Sequence, residues 1–317
     1  MNKQECIFYD FDNRTTLEKL CDCVLEAWED SLFNIDFSFV WVNEKKDVVL
    51  SNVILLERFF NSSATVLKVK PNTKGFSDLT KTEALLWAGV NDVEVDDQLF
   101  MPHVLDLSKT DVTSAIDHAV EDIWLKNKFY GPITECLEAS VREFISPILL
   151  AVARLAGDVK LCAEKAIRGK KGNGPLDYAY IYQKFYVLIT EAKKDSLQQG
   201  VWQNIGQVCA SREVVLAETV PVTKKRTYMD MAPQLASIPS TGIISTGKEW
   251  VLIRYFQSPA RIFKSDPLGI PLVGGDKVSI RQGVIAVVEK LLGALILQKD
   301  AVDTNPYMKA ARKNEKV

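Results

Sequence analysis

Residues 174–193 read GPLDYAYIYQKFYVLITEAK, two runs rich in Tyr, Val, Leu and Ile that meet at Gln183-Lys184. Their β-branched and aromatic content predicts a hairpin. Yet Asp177 opens the first run and Glu191 closes the second, and apolar strands rarely hold ionised groups unless something pairs with them. With a three-residue loop, Gln183 to Phe185, Tyr182 faces Tyr186 and counting outward sets Asp177 opposite Glu191. Residues so paired have Cβ atoms roughly 4.5–5.5 Å apart. A two-residue loop moves the register by one and sets Asp177 opposite Thr190. Either register brings both carboxylates within reach of one ion; only the first aligns them well.

Two like charges this close on an apolar sheet are unfavourable unless a proton or a cation sits between them. A hard divalent cation with oxygen ligands, Mg²⁺ or in its place Mn²⁺, resolves the conflict. Strand alternation puts Glu191 and Lys193 on one face with Ala192 between them. The ammonium therefore points to the side of the metal-binding carboxylate. Such a set suits phosphodiester hydrolysis, in which a metal activates water and a cation offsets charge developing on the phosphate. Asp195 or Ser196 is placed to cap the next helix, SLQQGVWQNIGQVCAS. There Gln199, Gln203 and Gln207 recur every four residues as a polar stripe. A glutamine beside a cleft orients water or contacts a phosphate or base edge; the competing reading is a solvated amide face.

The pattern E-x-K is weak alone and recurs at Glu44-Lys45-Lys46, in a hydrophilic turn between strand-like IDFSFVWVN and DVVLSNVILL. That copy reads as solvated. Elsewhere, residues 15–32 have helical spacing, 63–70 alternate like a strand, and 71–110 are mixed and loop-rich. Asp111 is a candidate cap for a helix through Trp124. A better-defined helix runs through ITECLEASVREFISPILLAVARLAG, with Leu137, Val141, Phe144, Ile148, Val152 and Leu155 as its apolar stripe. Gly157 ends it, and Pro147 kinks or divides it. A boundary near residue 125 gives an N-terminal α+β region, 1–125, and a second domain, 126–317.

Lys plus Arg total 39 against 41 Asp plus Glu, so no strongly basic arm holds a nucleic acid, and only local patches remain. Arg168, Lys170 and Lys171, in a glycine-rich approach to the Asp177 strand, form one such patch, and Lys224-Lys225-Arg226 another. Six scattered cysteines lack zinc spacing and read as reduced thiols of an intracellular protein. Two histidines, His103 and His118, argue against a His-rich zinc site or a Ser-His-Asp triad. No apolar run has signal-peptide or membrane-spanning length.

The series G-P-L-D177…E191-A-K193…Q203 resembles the PD-(D/E)XK nuclease superfamily, with its restriction-endonuclease-like fold. Upstream, L-E138-A-S-V-R142-E143-F-I-S-P147 is similar to that superfamily's first-helix motif, where a glutamate joins the metal site. The match makes Glu138 the first candidate and Glu143 the second. The run TGIISTGKEWVLIRY, 241–255, is similar to the strand-turn-strand that follows the glutamine helix. The phrasing GNGPLDYAYIY…VLITEAKK…QGVWQN is most similar to the nuclease domains of Crinkler-type effectors and their fungal relatives, over about residues 130–260. Pro175 and Leu176, rather than proline alone, precede Asp177. The NTPase module or ubiquitin-like header of such effectors is not recognisable in 1–125.

This resemblance implies an α/β domain with a central mixed sheet flanked by helices. It also implies Mg²⁺ held by Asp177, Glu191, the Ala192 carbonyl and Glu138, with Lys193 and Gln203 completing the catalytic set. Gln199 and Gln207 join Arg168, Lys170 and Lys171 as candidate nucleic-acid contacts. The substrate it implies is nucleic acid, DNA before RNA, cut in the cytoplasm or nucleus, with homodimerisation and a protein partner for 1–125 in keeping. The rival from another class is a catalytically silent nuclease fold that acts as an interaction module. One further motif is set aside: G-I-I-S-T-G-K-E, 242–249, departs from a P-loop at Glu249, which lacks the Mg²⁺-binding hydroxyl, and continues into strand-like sequence.

Overall fold

The computed structural model describes residues 37–42, 47–49, 67–71, 73–169, 172–183, 185–219 and 237–306. The chain falls into two compact units, Met1–Lys74 with Gly169–Gly172, and Gly75–Arg168 with Asn173–Val317. Residue 125, the expected boundary, lies inside a helix of the second unit. In the first unit β1 (Phe37–Val42) pairs antiparallel with β2 (Asp47–Val49) and with β3 (Leu67–Pro71). The expected helix at 15–32, the Glu44-Lys45-Lys46 turn and Lys224-Lys225-Arg226 lie outside the described residues. The two-residue strand β4 (Lys74–Gly75) marks the division.

The second unit is an α/β fold built on one mixed sheet. Its elements are α1 (Lys81–Ala88), β5 (Glu94–Val95), α2 (Thr110–Phe129), α3 (Glu138–Ala156), β6 (Lys160–Arg168) and β7 (Gly172–Tyr182). There follow β8 (Phe185–Ala192), α4 (Leu197–Thr219), β9 (Ser240–Ser245), β10 (Glu249–Gln257), β11 (Ala260–Lys264), β12 (Leu268–Gly269) and α5 (Lys277–Thr304). Sheet order runs β6-β7-β8-β9-β10-β11-β5, with β12 beside β10. Neighbours are antiparallel except β8–β9 and β11–β5, which are parallel. A parallel pair needs a crossover connection, and α4 lies in the one between β8 and β9.

Alternation along β7 and β8 decides which helix covers which face. The Tyr180 hydroxyl donates to the Leu149 carbonyl at 2.6 Å and the Tyr178 hydroxyl to the Arg142 carbonyl at 3.1 Å, so these even-numbered positions face α3. Glu191 takes a bond from Gln207 of α4, on the other face. Val141, Phe144, Ile148 and Val152, the stripe expected for α3, are fully buried, whereas Leu137 is exposed at the N-cap. Pro147 sits inside α3 without dividing it. A proline there denies the carbonyl four residues earlier its bond. That carbonyl belongs to Glu143, and the Lys126 ammonium of α2 donates to it at 2.8 Å.

Gly247, with φ +77, turns β9 into β10, so the run resembling a P-loop is strand-turn-strand with no helix after it. The 71–110 region, expected to be mixed and loop-rich, contains α1, set by a capping box between Thr80 and Glu83. Asp111 lies in the first turn of α2 rather than capping it; there its charge still favours the helix dipole. Among the described residues no helix is long and apolar enough to cross a membrane.

The seat of α4 depends on Gly242 of β9. A Cβ at that position would lie 1.7 Å from Asn204 Oδ1 and 2.8 Å from Ile253 Cγ1. The prediction is that Gly242→Ala lowers stability by about 1–3 kcal/mol, as overpacking a filled core does. A thermal melt at unchanged Tm would show that α4 has room to move.

Candidate active site

In the β7–β8 hairpin Tyr182 stands opposite Phe185 and Ile181 opposite Tyr186, the register of a two-residue loop. Gln183 has φ +48, the left-handed conformation that tight hairpin turns require. With nothing else, this loop would set Asp177 opposite Thr190. A bulge intervenes: beyond Tyr180 and Ile181 the pairing becomes Tyr180 with Leu188 and Tyr178 with Thr190. One step further, Asp177 stands opposite Glu191. Loop length and bulge together recover the register that a three-residue loop would have given.

Both carboxylates are buried, Asp177 at 7% exposure and Glu191 at 2%. Asp177 Oδ2 accepts from the Ala192 backbone N–H at 2.8 Å, and its Oδ1 lies 2.6 Å from the Arg142 guanidinium. Glu191 Oε1 is 2.8 Å from Lys193 Nζ, and Oε2 accepts from the Gln207 amide at 2.5 Å. Lys193 Nζ also lies 3.9 Å from Glu138 Oε2, at the first turn of α3. The Lys193 backbone N–H donates to the Ser245 carbonyl at 2.9 Å, which holds the end of β8 against β9.

Burial raises the Asp177 carboxyl above its ordinary range, opposed first by the Ala192 N–H bond and then by the charges of Arg142 and Lys193. Glu191 is pushed up to about 7, mainly by burial and then by the Asp177 charge, against the pull of Lys193 and Gln207. The site thus holds a carboxyl group poised to lose its proton near neutrality.

The helices deliver the remaining groups by simple periodicity. Glu138 and Arg142 are four residues apart on α3 and reach Lys193 and Asp177 respectively. Glu143, the second candidate for the helix glutamate, points elsewhere: its carboxylate lies 3.6 Å from Lys126 of α2. On α4 the Ser196 hydroxyl, one of the two expected caps, accepts from the Gln199 N–H at 3.2 Å. A Cβ on Gly200 would meet Lys193 Cγ at 3.0 Å and Ile244 Cγ2 at 2.5 Å, so α4 passes close over the lysine stem. Seven residues on, and so on the same helical face, is Gln207.

The three glutamines of the α4 stripe, Gln199, Gln203 and Gln207, separate in role. Gln207 appears in the sequence reading as a nucleic-acid contact, but it is fully buried and bonded to Glu191. Asn204, also fully buried, orients it by donating to Gln207 Oε1 at 3.2 Å and to the Ile189 carbonyl at 3.1 Å. Gln203, the expected catalytic glutamine, is buried with no partner for its Oε1 among the described residues. Gln199 donates to the Leu79 carbonyl at 3.2 Å. Arg168 is exposed at the end of β6, whereas Lys170 and Lys171 lie outside the described residues.

Arg142, Asn204 and the role of Gln207 are what the sequence reading misses. The signal for Gln207 was the seven-residue step from Gly200, and that for Arg142 the four-residue step from Glu138. Among the described residues no three His, Cys, Asp or Glu side chains converge closely enough to hold a metal ion. The set that does converge is two carboxylates, two cations and an amide.

The Glu191 shift has a consequence for stability. A carboxyl whose folded value is about 7 against an ordinary 4.5 stabilises the fold fully below 4.5, where both states are protonated, and that contribution is lost as pH rises to about 7. In EDTA, Tm is therefore expected to fall across this window, and Glu191→Gln to flatten the fall. An equal fall in that variant would assign the effect to other groups. Compared with known proteins, the chain matches no family model, and no curated protein is similar to it.

Proposed function

We propose that the protein is a metal-dependent phosphodiesterase of the PD-(D/E)XK type, with a restriction-endonuclease-like core and nucleic acid, DNA before RNA, as substrate. The observation that carries this reading is the buried, face-to-face pair Asp177 and Glu191 with Lys193 Nζ 2.8 Å from Glu191. Supporting it, an opening helix with Glu138, the Asp177 strand, the E-x-K strand, a glutamine helix and a strand-turn-strand follow one another in the order that the motifs of that superfamily require.

The donor set fits a hard divalent cation. Mg²⁺ keeps several waters and needs only one or two protein carboxylates, so a converging pair suffices. The carboxylates are acceptor-only, and their mutual repulsion is what a divalent charge relieves. Asp177 and Glu191 would hold it, with Glu138 and the Ala192 carbonyl as the resemblance implies. Bound there, Mg²⁺ would polarise a phosphoryl oxygen and lower the pKa of a water.

The chain's own residues prepare that chemistry. Asn204 fixes the Gln207 amide, and Gln207 fixes Glu191 so that one oxygen remains toward Lys193. Lys193, at 15% side-chain exposure, keeps its ammonium between Glu191 and Glu138, where it offsets charge building on a phosphate. Gln203, buried and with no partner for its Oε1 among the described residues, is available to a water or a substrate N–H.

A second reading has one observation in its favour: Asp177 and Glu191 already have internal counter-cations in Arg142 and Lys193. A silent interaction module would keep such pairs for structure alone. Linear and plasmid DNA incubated with Mg²⁺, Mn²⁺ or EDTA separates the two. Metal-dependent cutting is expected from the wild type, with a loss of at least about 100-fold in Asp177→Ala and Lys193→Ala, the scale for removing one transition-state partner. No cutting together with no Mn²⁺ uptake by calorimetry would leave the silent module. Glu138→Ala is expected to weaken Mn²⁺ binding more than Glu143→Ala; the reverse order would take Glu138 out of the site.

A further inference from the structure

Arg142 is the one charged group of the site that the proposed chemistry leaves without a task. Its NH2 lies 2.6 Å from Asp177 Oδ1 and its NH1 3.2 Å from Glu164 Oε1. Its Nε is buried with no partner among the described residues. The side chain is 31% exposed, so it reaches both the buried carboxylate and the surface.

Glu164 has an unusual position. On β6, Ala163 pairs with Tyr178 and Lys165 with Leu176, so Glu164 falls opposite Asp177. By backbone register, acidic residues therefore occupy one row across three adjacent strands: Glu164, Asp177, Glu191. Glu164 has φ +51, a left-handed conformation that side-chain-bearing residues rarely adopt within a strand. The backbone thus departs from the pleat at the residue that grips the outer edge of the guanidinium. That grip is weak, because the Glu164 side chain is 75% exposed.

Glu138, Glu164, Asp177 and Glu191 set four carboxyl groups against two cations, Arg142 and Lys193. With all four ionised, the excess is the charge of one divalent cation. With that charge supplied at Asp177, Arg142 is no longer needed as its counter-ion. A guanidinium is a planar fork that matches two phosphate oxygens, which a lysine ammonium does not.

We propose that Arg142 is the phosphate clamp of this site, held in reserve on Asp177 and Glu164 and passed to a non-bridging phosphate oxygen of the substrate once a divalent cation occupies Asp177. This rests on the phosphodiesterase reading. Arg142 then makes cation binding and substrate binding cooperative: its NH2 is committed to Asp177 without the cation and free for phosphate with it. Glu164, exposed and weakly bound, lets the fork go to a phosphate without a large cost. A purely structural Arg142 would show no such dependence.

The test measures two bindings and one activity in the full-length wild type, Arg142→Ala, Arg142→Lys and Glu164→Gln. Mn²⁺ affinity is read by calorimetry without nucleic acid. Affinity for a fluorescein-labelled DNA duplex is read by anisotropy in Ca²⁺ and in EDTA, and cleavage in Mg²⁺. Arg142→Ala is expected to bind Mn²⁺ as tightly as the wild type or more tightly. It should bind DNA at least about tenfold more weakly in Ca²⁺, the scale of a lost charge-assisted hydrogen bond, yet match the wild type in EDTA. Arg142→Lys should recover only part of the loss, and Glu164→Gln should bind DNA at least as well as the wild type.

Equal DNA affinity of Arg142→Ala and wild type in Ca²⁺ overturns the clamp, as does a loss of the same size in Ca²⁺ and EDTA. Loss of Mn²⁺ binding in Arg142→Ala overturns it too, because the arginine would then only shape Asp177. If Arg142→Ala does not fold, Arg142→Lys and Glu164→Gln carry the same comparison. A wild type that takes up no Mn²⁺ removes the phosphodiesterase reading itself, and the clamp with it. A wild type that binds Mn²⁺ and cuts, beside an Arg142→Ala that does the same, removes only the clamp.

Discussion

Two carboxyl groups, brought face to face by backbone pairing, set the terms for everything around them. Asp177 and Glu191 lie on adjacent strands with little access to water, and the sheet gives neither the freedom to withdraw. Charge repulsion in such a place has few remedies: a proton, an opposing cation, or hydrogen bonds to the charged form. The surrounding residues supply all three. Glu191 retains its proton up to about 7, Arg142 and Lys193 bring positive charge, and Gln207 and the Ala192 N–H donate. The partners come from three places, α3, α4 and the end of β8, so these are placed as much by this pair as by the apolar core.

The same economy appears where α3 meets its neighbours. Pro147 removes a backbone bond from the helix, and a side chain of α2 fills the vacancy by binding the Glu143 carbonyl. Two tyrosines of β7 fasten further α3 carbonyls to the sheet. The helix that carries Glu138 and Arg142 is thus pinned on two sides within two turns of those residues. Precise placement of polar groups on a rigid support is what a reacting site needs.

Much of this site was readable in the residues. The unlikely company of Asp177 and Glu191 with Tyr, Val and Ile identified the strands, and alternation put Lys193 beside Glu191. The α3 stripe was legible because Val141, Phe144, Ile148 and Val152 keep helical spacing through the proline. What escaped has physical reasons. α1 is eight residues long with no apolar stripe, and only its capping box betrays it. β6 has mostly exposed or half-exposed residues, so it lacks the burial signature of an inner strand. The glutamine at Glu191 is Gln207 rather than Gln203, because the tilt and closeness of α4 depend on glycine contacts at Gly200 and Gly242 that periodicity does not encode. The bulge between Tyr180 and Ile181 was equally invisible: both loop lengths were compatible with the letters.

That bulge gives the hairpin a slip joint. The tip contributes one register and the bulge one correction, and what Asp177 senses is their sum. A chain one residue shorter between Tyr182 and Phe185 reaches the same pairing by straightening β8, which gives its extra residue back to the turn, and the carboxylates stay opposed. A chain one residue longer gains nothing from the bulge, and unless the turn itself houses the extra residue Asp177 slides away from Glu191. The hairpin therefore absorbs a shortening of this outer turn within its own strand, and what fixes the limit is the need to keep two acids in line, six residues before Gln183 and seven after Lys184.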